Sequence, residues 1–261
     1  MLVEPEVRTL LAPNPSPMTG PGTNTYLIGR GEVLVVDPGP DLAPHLTAIR
    51  EATNGERIVA VLVTHGHPDH APAAFALRDE LDVAVLGHPS VPDIDRSLAD
   101  GEVLSVGAAQ FIVYHTPGHA EDHLCLWNPA ERVLFTGDLI AGVGTVVLSD
   151  EPGALTRYLA SLNRMLALGP SLLLPGHGPP VPDAEAKIQT YLAHRAMREE
   201  QILTALRSVP ASVDTLVARL YPDTPAPLLP MAARNVHAHL EHLEGQGRVR
   251  RADGGWEMTG Q

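Results

Sequence analysis

The stretch Val61-Leu62-Val63-Thr64-His65-Gly66-His67-Pro68-Asp69-His70 places three histidines and an aspartate within six residues, directly after an apolar run. Histidine is ordinarily scattered and partly exposed, and imidazole with carboxylate at this density is the ligand chemistry of transition metals. Gly66 lets the segment turn tightly, with His65 and His67 facing the same side. Three further segments share the pattern of apolar strand, glycine-containing loop and potential ligand. Phe111 to Tyr114 runs into His115-Thr116-Pro117-Gly118-His119, Val133 to Phe135 into Thr136-Gly137-Asp138, and Leu172 to Leu174 into Pro175-Gly176-His177. His65, His67, Asp69, His70, His119, Asp138 and His177 together offer five imidazoles and two carboxylates. That exceeds the four ligands of a closed structural zinc site and suffices for two open ones, and the lack of a thiolate in the set speaks for catalysis. His119 or His177 alone would pass for an ordinary surface or core histidine; their shared context changes that reading.

Ligands delivered from strand ends require a sheet whose carboxyl ends meet, the usual place for a site in such proteins. Alternation and turn residues predict strands at Thr25–Gly29 and Val33–Val36, joined by Arg30-Gly31-Glu32. A helix over Pro44–Thr53, a buried strand Ile58–Val63 and a helix Ala73–Leu81 follow. Strands are then expected at Val83–Leu86, Val103–Val106, Phe111–His115, Leu124–Trp127 and Val133–Phe135, an amphipathic helix at Ala154–Leu168 and a last strand at Leu172–Leu174. Two batches of strands with interspersed helices imply two packed sheets with helices outside. From Asp183 the pattern becomes helical: Asp183–Arg207 with an aspartate cap, Val213–Tyr221, a proline-rich loop, Met231–Glu244, and a hairpin from Arg248 to Met258. That order fits a winged helix-turn-helix. Charge changes at the same place, with 22 acids and 9 bases in residues 1–183 but 9 of each in 184–261. We place a domain boundary there.

The remaining composition excludes several classes. At 261 residues, 44% apolar and 19% charged, the chain is an ordinary globular protein of one large domain with an appendage. Its longest apolar run, Ile58 to Val63, is far below the ~20 residues of a membrane span. The amino-terminal MLVEPEVRTL lacks the basic and apolar regions of a secretion signal, and the single Cys125 forbids an intrachain disulfide. A cytoplasmic location is expected. The net charge of −13 argues against wrapping duplex nucleic acid.

His65-Gly66-His67-Pro68-Asp69-His70, with Thr116-Pro117-Gly118-His119, Thr136-Gly137-Asp138 and Pro175-Gly176-His177, resembles the metallo-β-lactamase superfamily in motif order and spacing. Gly22-Thr23-Asn24-Thr25-Tyr26 and Val36-Asp37-Pro38-Gly39 extend the resemblance over most of residues 15–180. Asp122-His123, Gly142-Val143-Gly144-Thr145 and the run from Pro175 to His194 into a winged helix are most similar to the β-lactamase-like protein 2 group, whose animal member is a mitochondrial endoribonuclease. Ala71-Pro72-Ala73, where many members carry a glycine pair, and Glu121 depart from the pattern without removing a ligand. The resemblance implies an α/β fold, a four-layer αββα sandwich, with a dinuclear site. His65, His67 and His119 would hold one metal, Asp69, His70 and His177 the other, and Asp138 would bridge them. The implied chemistry is hydrolysis by a metal-bridging hydroxide, with Asp69 and Asp138 as the catalytic carboxylates. Two zinc ions suit the mixed N and O ligands, and manganese, iron or nickel suit them too.

Asp37 either orients a ligand histidine from behind or forms a turn before Pro38. His123 either meets substrate or supports the fold. His115 is expected to be structural and Cys125 a small buried hydrophobe. His237, His239 and His242 are expected to face solvent. Arg248, Arg250 and Arg251, with Arg195 and Arg198 on the preceding helix, form either a basic strip for nucleic acid or solvated surface. The resemblance favours phosphodiester cleavage of single-stranded RNA. The alternatives are a thioesterase of the glyoxalase II type acting on a small thioester, and a winged-helix regulator on a vestigial hydrolase. No membrane partner is expected, and an oligomer is compatible with the sequence.

Overall fold

The protein is described here by a computed structural model covering residues 6–260. Strands β1 (Val7–Leu11), β2 (Asn24–Ile28) and β3 (Glu32–Val36), helix α1 (Ala43–Ala52), β4 (Arg57–Leu62), helix α2 (Pro72–Leu81), β5 (Val85–Gly87) and β6 (Arg96–Ser97) build the first half. The six strands pair in sequence order, antiparallel from β1 to β3 and parallel from β3 to β6. Successive strand residues point to opposite faces. Leu27, Val33, Val35 and Val61 therefore pack outward against Leu46 and Ile49 of α1 and Ala73 and Leu77 of α2, while Tyr26, Ile28, Leu34, Val36 and Leu62 face inward.

The second sheet comprises β7 (Val103–Val106), β8 (Ala109–His115), β9 (Leu124–Asn128), β10 (Val133–Gly137) and β11 (Leu172–Pro175). Its order is β11-β10-β9-β8-β7, antiparallel except for the β10–β11 pair, whose crossover contains helix α3 (Ala154–Ala167). Phe111, Val113, Leu124, Leu126 and Phe135 meet the inward face of the first sheet. Cys125, Trp127, Leu134 and Leu173 pack on Tyr158, Leu162 and Met165 of α3 and on Ile188 and Tyr191 of helix α4 (Ala184–Leu206). The result is the expected four-layer αββα sandwich. β1 and β6 were not foreseen: β1 is a half-buried edge strand without clean alternation, and β6 is two exposed residues.

Beyond α4 lie helices α5 (Val213–Leu220) and α6 (Leu229–Gly245) and the hairpin β12 (Val249–Ala252) and β13 (Gly255–Met258). Leu216, Val236, Leu240, Leu243, Val249 and Trp256 enclose Ile202, Leu203 and Leu206, so α4 contributes to the sandwich core with one half and to this smaller core with the other. Asp183 caps α4 as expected, its side chain accepting from the Ala186 amide. Two surface expectations fail here. Arg195 and Arg198 are buried, not part of a basic strip: Arg195 lies over the Tyr158 ring and donates to the Val146 carbonyl, and Arg198 lies over Tyr221. His239, expected at the surface, is fully enclosed, because α6 packs along α4 on that face; His237 is half-buried and His242 mostly covered.

Candidate metal centre

The ligand candidates follow β4, β8, β10 and β11, and the structure brings all seven together at that edge of the sandwich. His65, His67 and His119 form one group, with His65 Nε2 2.9 Å and His119 Nε2 3.0 Å from His67 Nδ1. Asp69, His70 and His177 form a second, with His177 Nε2 3.2 Å from both His70 Nε2 and Asp69 Oδ2. Asp138 stands between them, Oδ2 3.5 Å from His119 Nε2 and Oδ1 3.5 and 3.4 Å from the Nε2 atoms of His70 and His177. One carboxylate thus offers an oxygen to each group.

The far side of each ring decides which nitrogen is bare. His70 Nδ1 donates to Asp37 Oδ2 at 2.9 Å, His119 Nδ1 to the Val147 carbonyl at 2.7 Å and His177 Nδ1 to the Gly22 carbonyl at 3.2 Å. His65 Nδ1 donates to Thr64 Oγ1 at 3.0 Å, and that hydroxyl donates on to Asp37 Oδ2 at 2.7 Å. With the protons of His65, His70, His119 and His177 held behind, their Nε2 lone pairs face one another, His67 Nδ1 and the carboxylates across these short gaps. Buried Asp138 Oδ1 has no hydrogen-bond donor. Acceptors converging on acceptors need a cation between them, so the residues fit divalent metal ions. Asp37 therefore stands behind one histidine of each group and is more than a turn former. Its backbone sits at φ 49°, a left-handed conformation that aspartate tolerates better than most residues.

The field has the sign a cation requires. Burial opposes charge on His70, yet Asp138 and Asp37 outweigh it and raise its pKa well above the imidazole range. His177 is likewise raised to about 9: burial opposes its charge, and the adjacent Asp138 and Asp69 carboxylates outweigh it. Burial also opposes the charge on Asp138, but His70 and His177 hold its pKa well below the carboxylate range. His65 and His123 are lowered well below the usual value, chiefly by burial. His123 supports the fold: fully buried, it accepts from the Asp138 amide at Nε2 (3.0 Å) and donates from Nδ1 to Thr116 Oγ1 (2.8 Å). It fixes the Asp138 backbone. His115 is structural, its Nε2 donating to the Glu121 carbonyl and its ring stacked on His88. Cys125 is buried, which pushes its thiol up to about 12.

Close approach at the strand ends explains two of the motif glycines. A Cβ on Gly137, whose φ is 44°, would lie 2.7 Å from His123 Nε2, and one on Gly176 would lie 2.7 Å from Asp138 Oδ1.

A cleft of about 560 Å³ opens over the ligands. His67, Asp69, His119, Asp138 and His177 border it, and Met18, Val147, Leu148, Pro230 and Met231 give it apolar walls. Arg234 also borders it. Pro230, Met231 and Arg234 belong to α6, so the winged-helix part completes the cleft; sequence reasoning missed them because no pattern ties them to ligands more than 50 residues earlier. Thr64 was within the motif but was not singled out, and the Gly22 and Val147 carbonyls give no side-chain signal. Arg248, Arg250 and Arg251 do not border the cleft, and each lies beside an acid: Glu200 at 3.1 Å, Glu257 at 2.6 Å and Glu244 at 4.0 Å.

An αββα sandwich with histidines and carboxylates gathered at its strand ends defines a class of hydrolytic enzymes. Residues 18–104 and 88–177 match the profile of the metallo-beta-lactamase superfamily, and residues 212–256 that of the beta-lactamase associated winged helix domain; the chain belongs to that superfamily and is a hydrolase of its fold. It is 34% identical to a beta-lactamase-like protein 2 homolog of Drosophila melanogaster, over 92% of this chain and 88% of that protein. It is 36% identical to an atrochrysone carboxyl ACP thioesterase of Aspergillus fumigatus, over 80% of this chain and 67% of that protein. The crystal structure of a beta-lactamase domain protein from Burkholderia ambifaria superposes with a TM-score of 0.86 at 25% identity, covering 97% of this chain and 91% of that one. Among the described residues no helix is long and apolar enough to cross a membrane.

Proposed function

We propose that the protein is a dinuclear zinc hydrolase acting on a thioester. His65, His67 and His119 would hold one ion, Asp69, His70 and His177 the other, with Asp138 shared. Manganese, iron and nickel satisfy the same donor set. Bound there, two divalent cations supply the positive charge that makes water a nucleophile near neutral pH and polarises the substrate carbonyl. The chain's own residues do the rest. Asp37, Thr64 and the Gly22 and Val147 carbonyls hold the imidazole protons on the far side, so the rings need not reorient during the reaction. Asp69, partly open to the cleft, would spend one carboxylate oxygen on the ion and keep the other for the proton released as water is consumed.

The observation that carries the substrate class is the cleft wall. Met18, Val147, Leu148, Pro230 and Met231 make an apolar surface beside the ligands, and among the described residues Arg234 is the one bordering Arg or Lys, which suits an acyl chain better than a string of phosphates. The thioesterase among the relatives supports this reading. Cleavage of single-stranded RNA is the second reading, favoured by similarity to beta-lactamase-like protein 2 homologues over nearly the whole chain, winged helix included. A regulator with a vestigial site is disfavoured by the complete ligand set. We also take residues 1–183 as the catalytic unit and 184–261 as the unit that closes the cleft.

The deciding experiment incubates the zinc-loaded protein with butyryl-N-acetylcysteamine, an acylglutathione and an unstructured RNA side by side. Thioester hydrolysis without RNA cleavage is expected. RNA cleavage without thioester hydrolysis overturns the reading in favour of the nuclease, and turnover of none of them removes both.

A further inference from the structure

We infer that Arg234 of α6 binds an anionic group of the substrate, a carboxylate or a phosphate, at a distance from the bond that is cleaved. This rests on the small-substrate reading of the cleft given above. Among the described residues bordering that cleft Arg234 is the only arginine or lysine, and Pro230 and Met231, about one helical turn before it on α6, border the same cleft and are apolar. It is also available. Its side chain is 47% exposed, and its one carboxylate neighbour among the ion pairs is Asp150 at 4.0 Å, itself 78% exposed. A pair that long and that wet contributes little and is readily exchanged for a ligand anion. The other arginines discussed as ligand contacts lack this freedom, since Arg195 and Arg198 are buried and the hairpin arginines lie beside glutamates away from the cleft.

The surroundings also limit how large the anion can be. Arg234 also borders a second cavity, of about 310 Å³, together with Asp150, Glu151, Glu241 and His237. Those carboxylates repel any continuation of a polyanion past the guanidinium, so the site suits one compact anionic group between the metal ligands and Arg234. Planar paired N–H donors suit carboxylate and phosphate alike, so the arginine does not itself choose between an acid on the acyl side and a phosphate on the thiol side. In this assignment the winged-helix unit serves as one wall of a small-molecule site, contributing the charge that sorts substrates.

The test uses the full-length zinc-loaded protein and non-hydrolysable thioethers, so that it reads binding independently of turnover. S-butyl pantetheine is the neutral probe, S-butyl pantetheine 4′-phosphate carries the anion on the thiol side, and S-(3-carboxypropyl) pantetheine carries it on the acyl side. Calorimetry should find one anionic probe bound about tenfold more tightly than the neutral one by wild type. Arg234→Gln should bring that ratio close to one, Arg234→Lys should recover part of it, and Asp150→Asn should increase it. Which probe gains identifies the side that carries the charge. The same ratio in wild type and Arg234→Gln would overturn the assignment, as would weak binding of all three probes by wild type. Failure of thioester turnover alongside an Arg234-dependent ratio would instead overturn the proposed reaction and leave the anion site standing.

Discussion

At the strand ends, five histidines turn bare nitrogens toward one another and toward Asp69 and Asp138, with four of the five rings hydrogen-bonded from behind. Between α4 and α6 lies a second polar layer of similar richness: His194, Arg195, Arg198 and Glu199 from one helix, His239 and His242 from the other. There the outcome differs. Among the described residues neither ring nitrogen of His239 has a hydrogen-bond partner, nor does Nδ1 of His194, and Glu199 approaches His239 only to 3.9 Å. Burial and the charges of Arg195 and Arg198 hold His239 well below the imidazole range, and burial raises Glu199. The contrast is one of sign. Buried carboxylates make the strand-end cluster attract cations, while buried arginines make the interhelical cluster repel them. A high histidine count therefore says little until the charges facing the rings are known.

Asp138→Ala is the strongest way to break the distinction. It removes the oxygens offered to both groups while leaving the His123 and strand packing in place. Metal content should fall below two equivalents and turnover by more than about 100-fold, beyond the 10–100-fold typical of losing a partner behind a ligand. Circular dichroism should stay native. Two equivalents of metal and near-normal rates by elemental analysis and kinetics would show that the carboxylate is not what separates the clusters.

The interhelical layer gives a smaller effect of opposite kind. Because the folded pKa of His239 is depressed, the unfolded chain binds the extra proton. The stability linked to it is intact above about pH 6.5 and is lost as pH falls below that value. Glu199, with a raised folded pKa, opposes this as pH falls through that raised value toward the ordinary carboxylate range. His194, His242, Arg195 and Arg198 face the same layer. His239→Leu should unfold in urea much like wild type near pH 7.5 but be more stable by about 1 kcal/mol near pH 5.5. Parallel losses in both proteins on acidification would mean that some other group carries the acid sensitivity.

The site was legible because its grammar is local. Each ligand follows a short apolar strand, and glycines occur where backbones and rings crowd, as at Gly137 and Gly176. For Asp37 the sequence leaves two readings, a support behind a histidine and a turn former, and the choice between them depends on β3 and β4 pairing in parallel. The sandwich was readable from alternating strands, whereas β1 was not, being a half-buried edge strand whose partner β2 is separated from it by a loop. The largest errors fell on α4 and α6. Their polar residues read as solvent-facing because a helix's spacing does not say which stripe another helix will cover, and that pairing spans some 40 residues. Arg234 stayed hidden for the same reason: only the docking of α6 on the sandwich carries it to the cleft.

The least effect should come from reversing the hairpin. Arg248, Arg250 and Arg251 are 42%, 66% and 64% exposed and stand beside Glu200, Glu257 and Glu244. Exposed pairs of this kind contribute between about 0 and 1 kcal/mol each, so changing all three to Glu should cost little stability and leave thioester turnover within about twofold. RNA is where the substitution discriminates. If the winged-helix unit acts on the cleft only through α6, weak RNA binding measured across a salt series should keep its slope. If the hairpin grips phosphates, the reversal should weaken binding and flatten the slope by roughly one unit for each phosphate no longer held. That second result would give the winged-helix unit a nucleic-acid surface of its own, separate from the cleft, and Arg234→Gln, which should leave the slope unchanged, is the control that tells the two surfaces apart.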